Sequence, residues 1–153
     1  MRFRLLPRFS RPLYFTVFAA LLLITTQSCS SGSDEPTPLA RCVTLDENCS
    51  LLYQPVFSEI HRRTLAATCA EPGTSCHSND GRRGGLALED IDEAYQLLLD
   101  PERERVVPGD PECSRIMVRL EHTGSSVMPP GDPLPEAERC TIATWIRNGA
   151  LRD

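Results

Sequence analysis

Apolar residues recur at steps of three and four through most of the chain after residue 54, which is the spacing that places them on one face of a helix. This pattern predicts four helices, over residues 55–68, 87–99, 111–121 and 135–148. No stretch alternates between apolar and polar residues as a half-buried strand does. Residues 101–110 and 123–134 lack apolar periodicity and are predicted to be connecting loops. We therefore expect a small all-α domain with long loops.

Residues 1–28 have the pattern of an export signal. An apolar run of twelve residues is shorter than the ~20 residues of a membrane-spanning helix and fits a signal sequence. A small residue, Ser28, stands directly before Cys29, as at the cleavage site of bacterial lipoproteins. We expect Cys29 to become the first mature residue and to carry lipid; ordinary cleavage nearby, with Cys29 a spare thiol, is the alternative. The apolar run follows four basic residues, Arg2, Arg4, Arg8 and Arg11.

Removal of residues 1–28 leaves an acidic chain. Four of the sixteen basic residues are lost and none of the 21 acidic ones, so twelve arginines face 21 acids and the formal charge becomes −9. This charge argues against a nucleic-acid partner and suits a tethered globule or one that meets a basic protein. Residues 29–40 are polar, contain Pro and Gly, and predict a flexible lipidated tether before a domain at 41–153. The expected location is the bacterial cell envelope, facing the periplasm, with a lipid anchor in the outer membrane.

The most informative stretch joins the first two predicted helices. Cys69, Cys76 and His77 stand there, and two cysteines with a histidine directly after the second are the pattern of covalent c-type haem attachment. The usual pattern has two residues between the cysteines, whereas this chain has six. Pro72 and Gly73 form a type II turn signal. Such a turn would bring the cysteines together, either for haem attachment or for a disulfide between them.

Several other short signals follow in a fixed order, and they resemble one family. The order is that of the small cytochrome c-like domains of bacterial exported proteins, of the planctomycete and myxobacterial type, and the resemblance covers residues 56–151. It implies a cytochrome c-like fold with haem c joined to Cys69 and Cys76, and with His77 and Met128 as the axial ligands of the iron. The signals are Gly84-Gly85-Leu86, Val107-Pro108-Gly109-Asp110-Pro111, Met128-Pro129-Pro130 and a helix that ends in Trp145-Ile146-Arg147-Asn148-Gly149-Ala150.

The resemblance implies one-electron transfer to or from a redox partner protein. It implies no enzymatic activity, because both axial positions of the iron would be filled, and the chain shows no Ser-His-Asp set, paired carboxylate motif or phosphate loop. A zinc site is a further interpretation. Zinc needs four nitrogen or sulfur ligands, which would be Cys69, Cys76 and His77 with either His61 or His122 as the fourth.

The remaining cysteines predict disulfides. Six cysteines follow Cys29, and an even number in an exported chain favours pairing. Cys42 and Cys49 could close a small local loop, the alternative being a separate partner for each. Cys113 and Cys140 lie near the starts of the last two helices, where a bridge would tie these helices together. Disulfides also suit the second functional hypothesis, a haem-free structural or binding lipoprotein that keeps the same fold.

Overall fold

The computed structural model describes residues 41–71, 76–122 and 126–153, all within the second of two compact units, Asp34–Asp153. The predicted signal peptide, Cys29, the predicted tether and the predicted turn at Pro72 and Gly73 lie outside the described residues. The described part of the chain contains helices and no strand, which confirms the all-α class. Within that part, none of the helices combines the length and the apolar character needed to cross a membrane.

All four predicted helices are present. The first begins as a short α-helix and continues without interruption as a π-helix, and a 3₁₀ turn precedes the second. The elements in chain order are α1 (Phe57–Ile60), the π-helix (His61–Cys69), the 3₁₀ turn (Arg83–Gly85), α2 (Ile91–Leu98), α3 (Arg115–Leu120) and α4 (Glu136–Arg147).

Helices α2 and α3 both begin later than the apolar periodicity predicts, at Ile91 and Arg115. The Asp90 carboxylate accepts the amide hydrogens of the second and third residues of α2, at 3.0 and 2.8 Å, which is the geometry of an N-cap. Asp110 likewise accepts the amide hydrogen of Cys113 at 3.1 Å. This bond closes a separate turn ahead of α3. The predicted helix over residues 111–121 is therefore a turn followed by a shorter helix.

Helix α4 packs against α1 and α3 and organises the core. The Phe57 ring lies at the centre of an aromatic group, with its centroid 5.0 Å from that of Tyr95 and 5.3 Å from that of Trp145. Burial of apolar side chains is the main stabilising contribution in a domain of this size. Every helix supplies side chains that are almost completely buried: Phe57, Ile60, Leu65, Leu98, Met117, Ile142 and Ile146.

The residues after α4 fold back onto the start of the domain. Gly149 has a φ of 96°, and its amide donates to the Ile146 carbonyl at 2.9 Å, which is the conformation in which a glycine ends a helix. The Asp153 carboxylate accepts the amide hydrogen of Ser58 at 2.9 Å. Ser58 lies in the first turn of α1, so this carboxylate caps a helix that begins 96 positions earlier in the numbering of the chain, at Phe57.

Two disulfides tie the segment that precedes α1 to the second half of the domain. The first has a Cα–Cα distance of 4.2 Å and the second of 5.9 Å. The presence of disulfides is confirmed, but the expected pairing of Cys42 with Cys49 and of Cys113 with Cys140 is wrong. The preceding segment contacts the turn ahead of α3 through the bond from the Val43 amide to the Glu112 carbonyl at 2.9 Å, and it contacts α4 through the bond from the Leu52 amide to the Ala137 carbonyl at 3.3 Å. Its two cysteines therefore meet different elements. The pairs are Cys42–Cys113 and Cys49–Cys140.

Candidate functional site

Cys69 is the last residue of the π-helix. The helix closes with a hydrogen bond of 3.0 Å from the Ala70 amide to the carbonyl of Leu65, five residues earlier. Bonds of this span define π-helical geometry, which is rare and occurs often at functional sites. The Cys69 side chain is partly buried and packs against the core. The helix therefore presents this thiol on the inner side of the chain, at the point where the chain turns away.

The structure brings Cys76 and His77 back to Cys69. The His77 amide donates to the Cys69 carbonyl at 3.1 Å, and the Cys76 carbonyl accepts the amide hydrogen of Arg83 at 2.9 Å. Cys69 and Cys76 are both free thiols, and Cys76 is exposed. The disulfide between them that we considered is therefore not formed. The backbone thus brings Cys76 and His77 next to Cys69, although six residues separate the two cysteines.

The His77 ring is held by a backbone carbonyl. Its Nδ1 lies 3.3 Å from the Leu86 carbonyl oxygen, and because a carbonyl only accepts, Nδ1 carries the hydrogen and Nε2 keeps its lone pair. Burial lowers the pKa of His77, while bonds to the backbone of Leu86 and Arg83 act in the opposite direction. The imidazole is thus kept neutral and oriented, which is how proteins hold a metal-binding histidine.

The Cys69 thiol is unusually weakly acidic. Burial raises its pKa from 9.0 to about 12, and the charges of Glu138 and Cys76 add to this effect. A thiol with such a pKa remains protonated at neutral pH, and the protonated form is neither nucleophilic nor readily oxidised. The surroundings of Cys69 therefore keep its thiol protonated.

Glu138 belongs to a short chain of hydrogen bonds next to this thiol. Its carboxylate accepts the Thr64 hydroxyl hydrogen at 3.0 Å, and the Thr64 and Tyr53 hydroxyl oxygens are 2.5 Å apart. Burial raises the pKa of Tyr53, and the Glu138 charge acts in the same direction. The sequence reasoning did not connect these three residues with Cys69. The one signal was the polar Thr64 within the apolar stripe of the first helix, where it is completely buried.

Met128 is held through α3. Its amide donates to the Arg119 carbonyl at 3.0 Å, while the Arg119 guanidinium donates to the Ser126 carbonyl at 3.1 Å. The peptide bond between Met128 and Pro129 is cis. The Met128 side chain is half-buried and packs against the core. The structure thus shows Met128 packed against the core, and its predicted ligand role stays a prediction.

His61 is a structural residue of the core. It is 8% exposed and its Nε2 donates to the Leu88 carbonyl, at 3.0 Å. Across residues 41–71, 76–122 and 126–153, no three His, Cys, Asp or Glu side chains lie together in a way that could hold a metal ion. The zinc interpretation, which needs three such ligands with His61 or His122, therefore has no support among the described residues.

Haem c fits the chemistry of the three assembled residues. Attachment requires two reduced thiols near each other and a histidine with a free ring nitrogen, and Cys69, Cys76 and His77 supply these. Two cavities, of about 120 and 390 Å³, lie beside the two disulfides, and neither is lined by the three residues. The fit thus rests on the two thiols and the imidazole, and on the backbone hydrogen bond between His77 and Cys69.

A family model described as Planctomycete cytochrome C matches residues 74–132 of the chain. The match includes Cys76, His77 and Met128, and it begins after Cys69. It supports a cytochrome c-like domain over part of the wider stretch, 56–151, that the sequence signals indicated. No curated protein and no solved structure matches the chain.

Proposed function

We propose that this chain is an exported, lipid-anchored c-type cytochrome that transfers single electrons through one covalently bound haem. The observation that carries the proposal is the state of the cysteines. Four described cysteines are paired in disulfides, while Cys69 and Cys76 remain thiols. The amide of His77, the residue after Cys76, donates a hydrogen bond to the Cys69 carbonyl. In an exported chain, two adjacent reduced thiols next to an oriented histidine are best explained by thioether attachment.

Each residue has a separate role in this proposal. Cys69 and Cys76 would hold the haem through thioethers, and His77 and Met128 would be the axial ligands. When bound, the haem iron supplies a one-electron couple, whose reduction potential a methionine ligand raises. The Leu86 carbonyl would fix the His77 ring and increase the basicity of Nε2. Since both axial positions would be filled, no position remains for a substrate, and we propose that the protein is not an enzyme.

The visible absorption spectrum of the mature chain, produced in a host that attaches haem c, tests the proposal. We expect a Soret band and a haem stain that survives denaturation. Cys69→Ala with Cys76→Ala, which removes both thioethers, should abolish the stain of the denatured chain, whereas Cys49→Ser with Cys140→Ser, which removes a disulfide instead, should retain it. A colourless wild-type protein would contradict the proposal and would favour the haem-free structural or binding lipoprotein.

The role of Met128 is tested by the midpoint potential. Met128→Leu removes the thioether sulfur and should lower the potential of the bound haem. Met117→Leu is a matched control, because Met117 is a completely buried core residue and the exchange preserves its volume approximately. An unchanged potential in Met128→Leu would show that the methionine packs against the core and does not bind iron.

The proposed location is the cell envelope, facing the periplasm, with the domain attached to the outer membrane through lipid on Cys29. Cys29→Ala should release the protein from the membrane fraction, and Ser33→Ala, in the same tether, should not. Membrane association of the Cys29→Ala variant would overturn the anchor. The formal charge of −9 after residue 28 suits a basic redox partner, so electron exchange with that partner should slow as ionic strength rises.

A further inference from the structure

Arg105 is a buried arginine that binds carbonyl oxygens. It is 8% exposed, and its guanidinium donates to the Leu97 carbonyl at 2.7 Å, to the Gly84 carbonyl at 2.8 Å and to the Gly85 carbonyl at 3.2 Å. Within the described part of the chain, no carboxylate forms an ion pair with it. A buried charge is costly unless it is well hydrogen-bonded. The carbonyls that Arg105 binds should therefore explain why its charge is buried without a carboxylate partner.

The three carbonyls belong to two different segments. Leu97 lies near the end of α2, whereas Gly84 and Gly85 form the 3₁₀ turn and both have a φ of 67°. The planar fork of a guanidinium can bind several acceptors in fixed directions, which a lysine cannot do. Arg105 therefore joins the 3₁₀ turn to the end of α2.

The residue that follows the 3₁₀ turn is the one that orients the candidate ligand. The Leu86 carbonyl lies 3.3 Å from Nδ1 of His77, and two residues later the Leu88 amide donates to the His77 carbonyl at 2.8 Å. The position of the Leu86 carbonyl thus depends on the turn that precedes it, and the turn depends on Arg105.

We propose that Arg105 is the positioning residue for His77, holding the Gly84–Leu86 segment so that the Leu86 carbonyl fixes the imidazole in its Nδ1–H form. The role of His77 as a haem ligand rests on the function proposed above, but the positioning of its ring does not. The two variants that separate geometry from charge are Arg105→Lys, which keeps the charge and loses the fork, and Arg105→Met, which loses both.

The first test uses the full mature chain without haem. In both Arg105 variants, amide hydrogen exchange at Gly85 and Leu88 should rise at least tenfold, while exchange in α4 stays as in the wild type. Nitrogen NMR, at a pH where the imidazole is neutral, should show His77 changing from the Nδ1–H form to a mixture of both tautomers. Arg103→Met is the control: this neighbouring arginine is exposed, and its loss should change neither signal.

The second test uses the haem-loaded chain. Arg105→Lys keeps the charge, so a weaker bond from Nδ1 to the Leu86 carbonyl should make the ligand less basic and raise the midpoint potential. Unchanged exchange and an unchanged His77 tautomer in both Arg105 variants would overturn the inference, as would equal changes in Arg103→Met. If the wild type attaches no haem, the proposed function fails while the first test still decides the role of Arg105.

Discussion

The acidity of the Cys69 thiol makes a quantitative prediction about its reactivity. Burial raises its pKa from 9.0 to about 12. At pH 8 a thiol of pKa 9.0 is about 10% ionised and one of pKa 12 about 0.01%, so Cys69 should react with an alkylating reagent about 1,000-fold more slowly than an ordinary thiol, because only the thiolate is nucleophilic. Cys76 is exposed and should be labelled first.

The assay is pulsed alkylation with iodoacetamide, read by peptide mass spectrometry. The mature chain without haem is used with Cys29→Ser, so that only Cys69 and Cys76 carry thiols among the cysteines after residue 28. Between pH 8 and pH 11 the Cys69 rate should rise about tenfold per pH unit. Glu138→Gln, which removes one of the charges that raise this pKa, should increase the rate at pH 8 by a smaller factor. A Cys69 alkylation rate within tenfold of the Cys76 rate would refute the reasoning. So would alkylation of both cysteines only after reduction, which would mean that they form a disulfide.

The same pKa shift predicts how stability depends on pH. Because the folded-state pKa of Cys69 is the higher one, its contribution is fully present below the unfolded value of 9.0 and is lost as pH rises from there toward about 12. Over this window the free energy of unfolding should fall by about 1.4 kcal/mol per pH unit from this group. Urea unfolding at pH 9, 10 and 11 measures the slope. Cys69→Ala should lack this part of the slope, and an equal slope in both proteins would assign the loss to other groups.

Two further predictions concern contacts far apart in the sequence. Cys49→Ser with Cys140→Ser should lower the free energy of unfolding by about 4 kcal/mol in urea titrations, because the bridge spans a sequence separation of 91 residues; a loss below 1 kcal/mol would contradict this. Asp153→Ala should cost about 1 kcal/mol through the lost cap at Ser58, while Asp153→Asn, which keeps an acceptor oxygen, should cost less. The bonds from Ser58 lower the pKa of Asp153 from 3.8, so the contribution of the cap is present above that pH and disappears as pH falls through the lowered pKa.

The helices were predictable because each has its own apolar face, whereas their exact starts were not. Apolar periodicity continues through Asp90, and the side-chain bonds of this aspartate decide where α2 begins. The bond from the Cys113 amide to Asp110 closes a separate turn, and α3 begins only after it. The end of α4 was predictable, since Gly149 adopts the positive φ that a glycine permits. A helix end that depends on a single glycine could therefore be predicted from the sequence.

The disulfide pairing was not predictable for a physical reason. Six cysteines allow fifteen connectivities, and the choice depends on where the segment before α1 lies. That segment has no apolar periodicity, so nothing in its sequence indicates which elements it contacts. The contacts of Arg105 and Glu138 were not predictable either, because they join residues far apart in the sequence. The bonds from Arg105 to the 3₁₀ turn span 20 and 21 residues, and the bond from Thr64 to Glu138 spans 74.

The division of the cysteines into two disulfides and two thiols is itself informative about the site. Cys69 and Cys76 are closer in sequence than either bonded pair, which have separations of 71 and 91 residues, so closing a loop between them would cost less entropy. Their reduced state therefore needs a local cause. Disulfide formation requires a thiolate, and burial together with Glu138 keeps Cys69 protonated. Under the proposed function, this protection is what keeps the pair available for thioether attachment in an oxidising compartment. A Glu138→Gln chain exported without haem should accordingly accumulate the Cys69–Cys76 disulfide faster than the wild type.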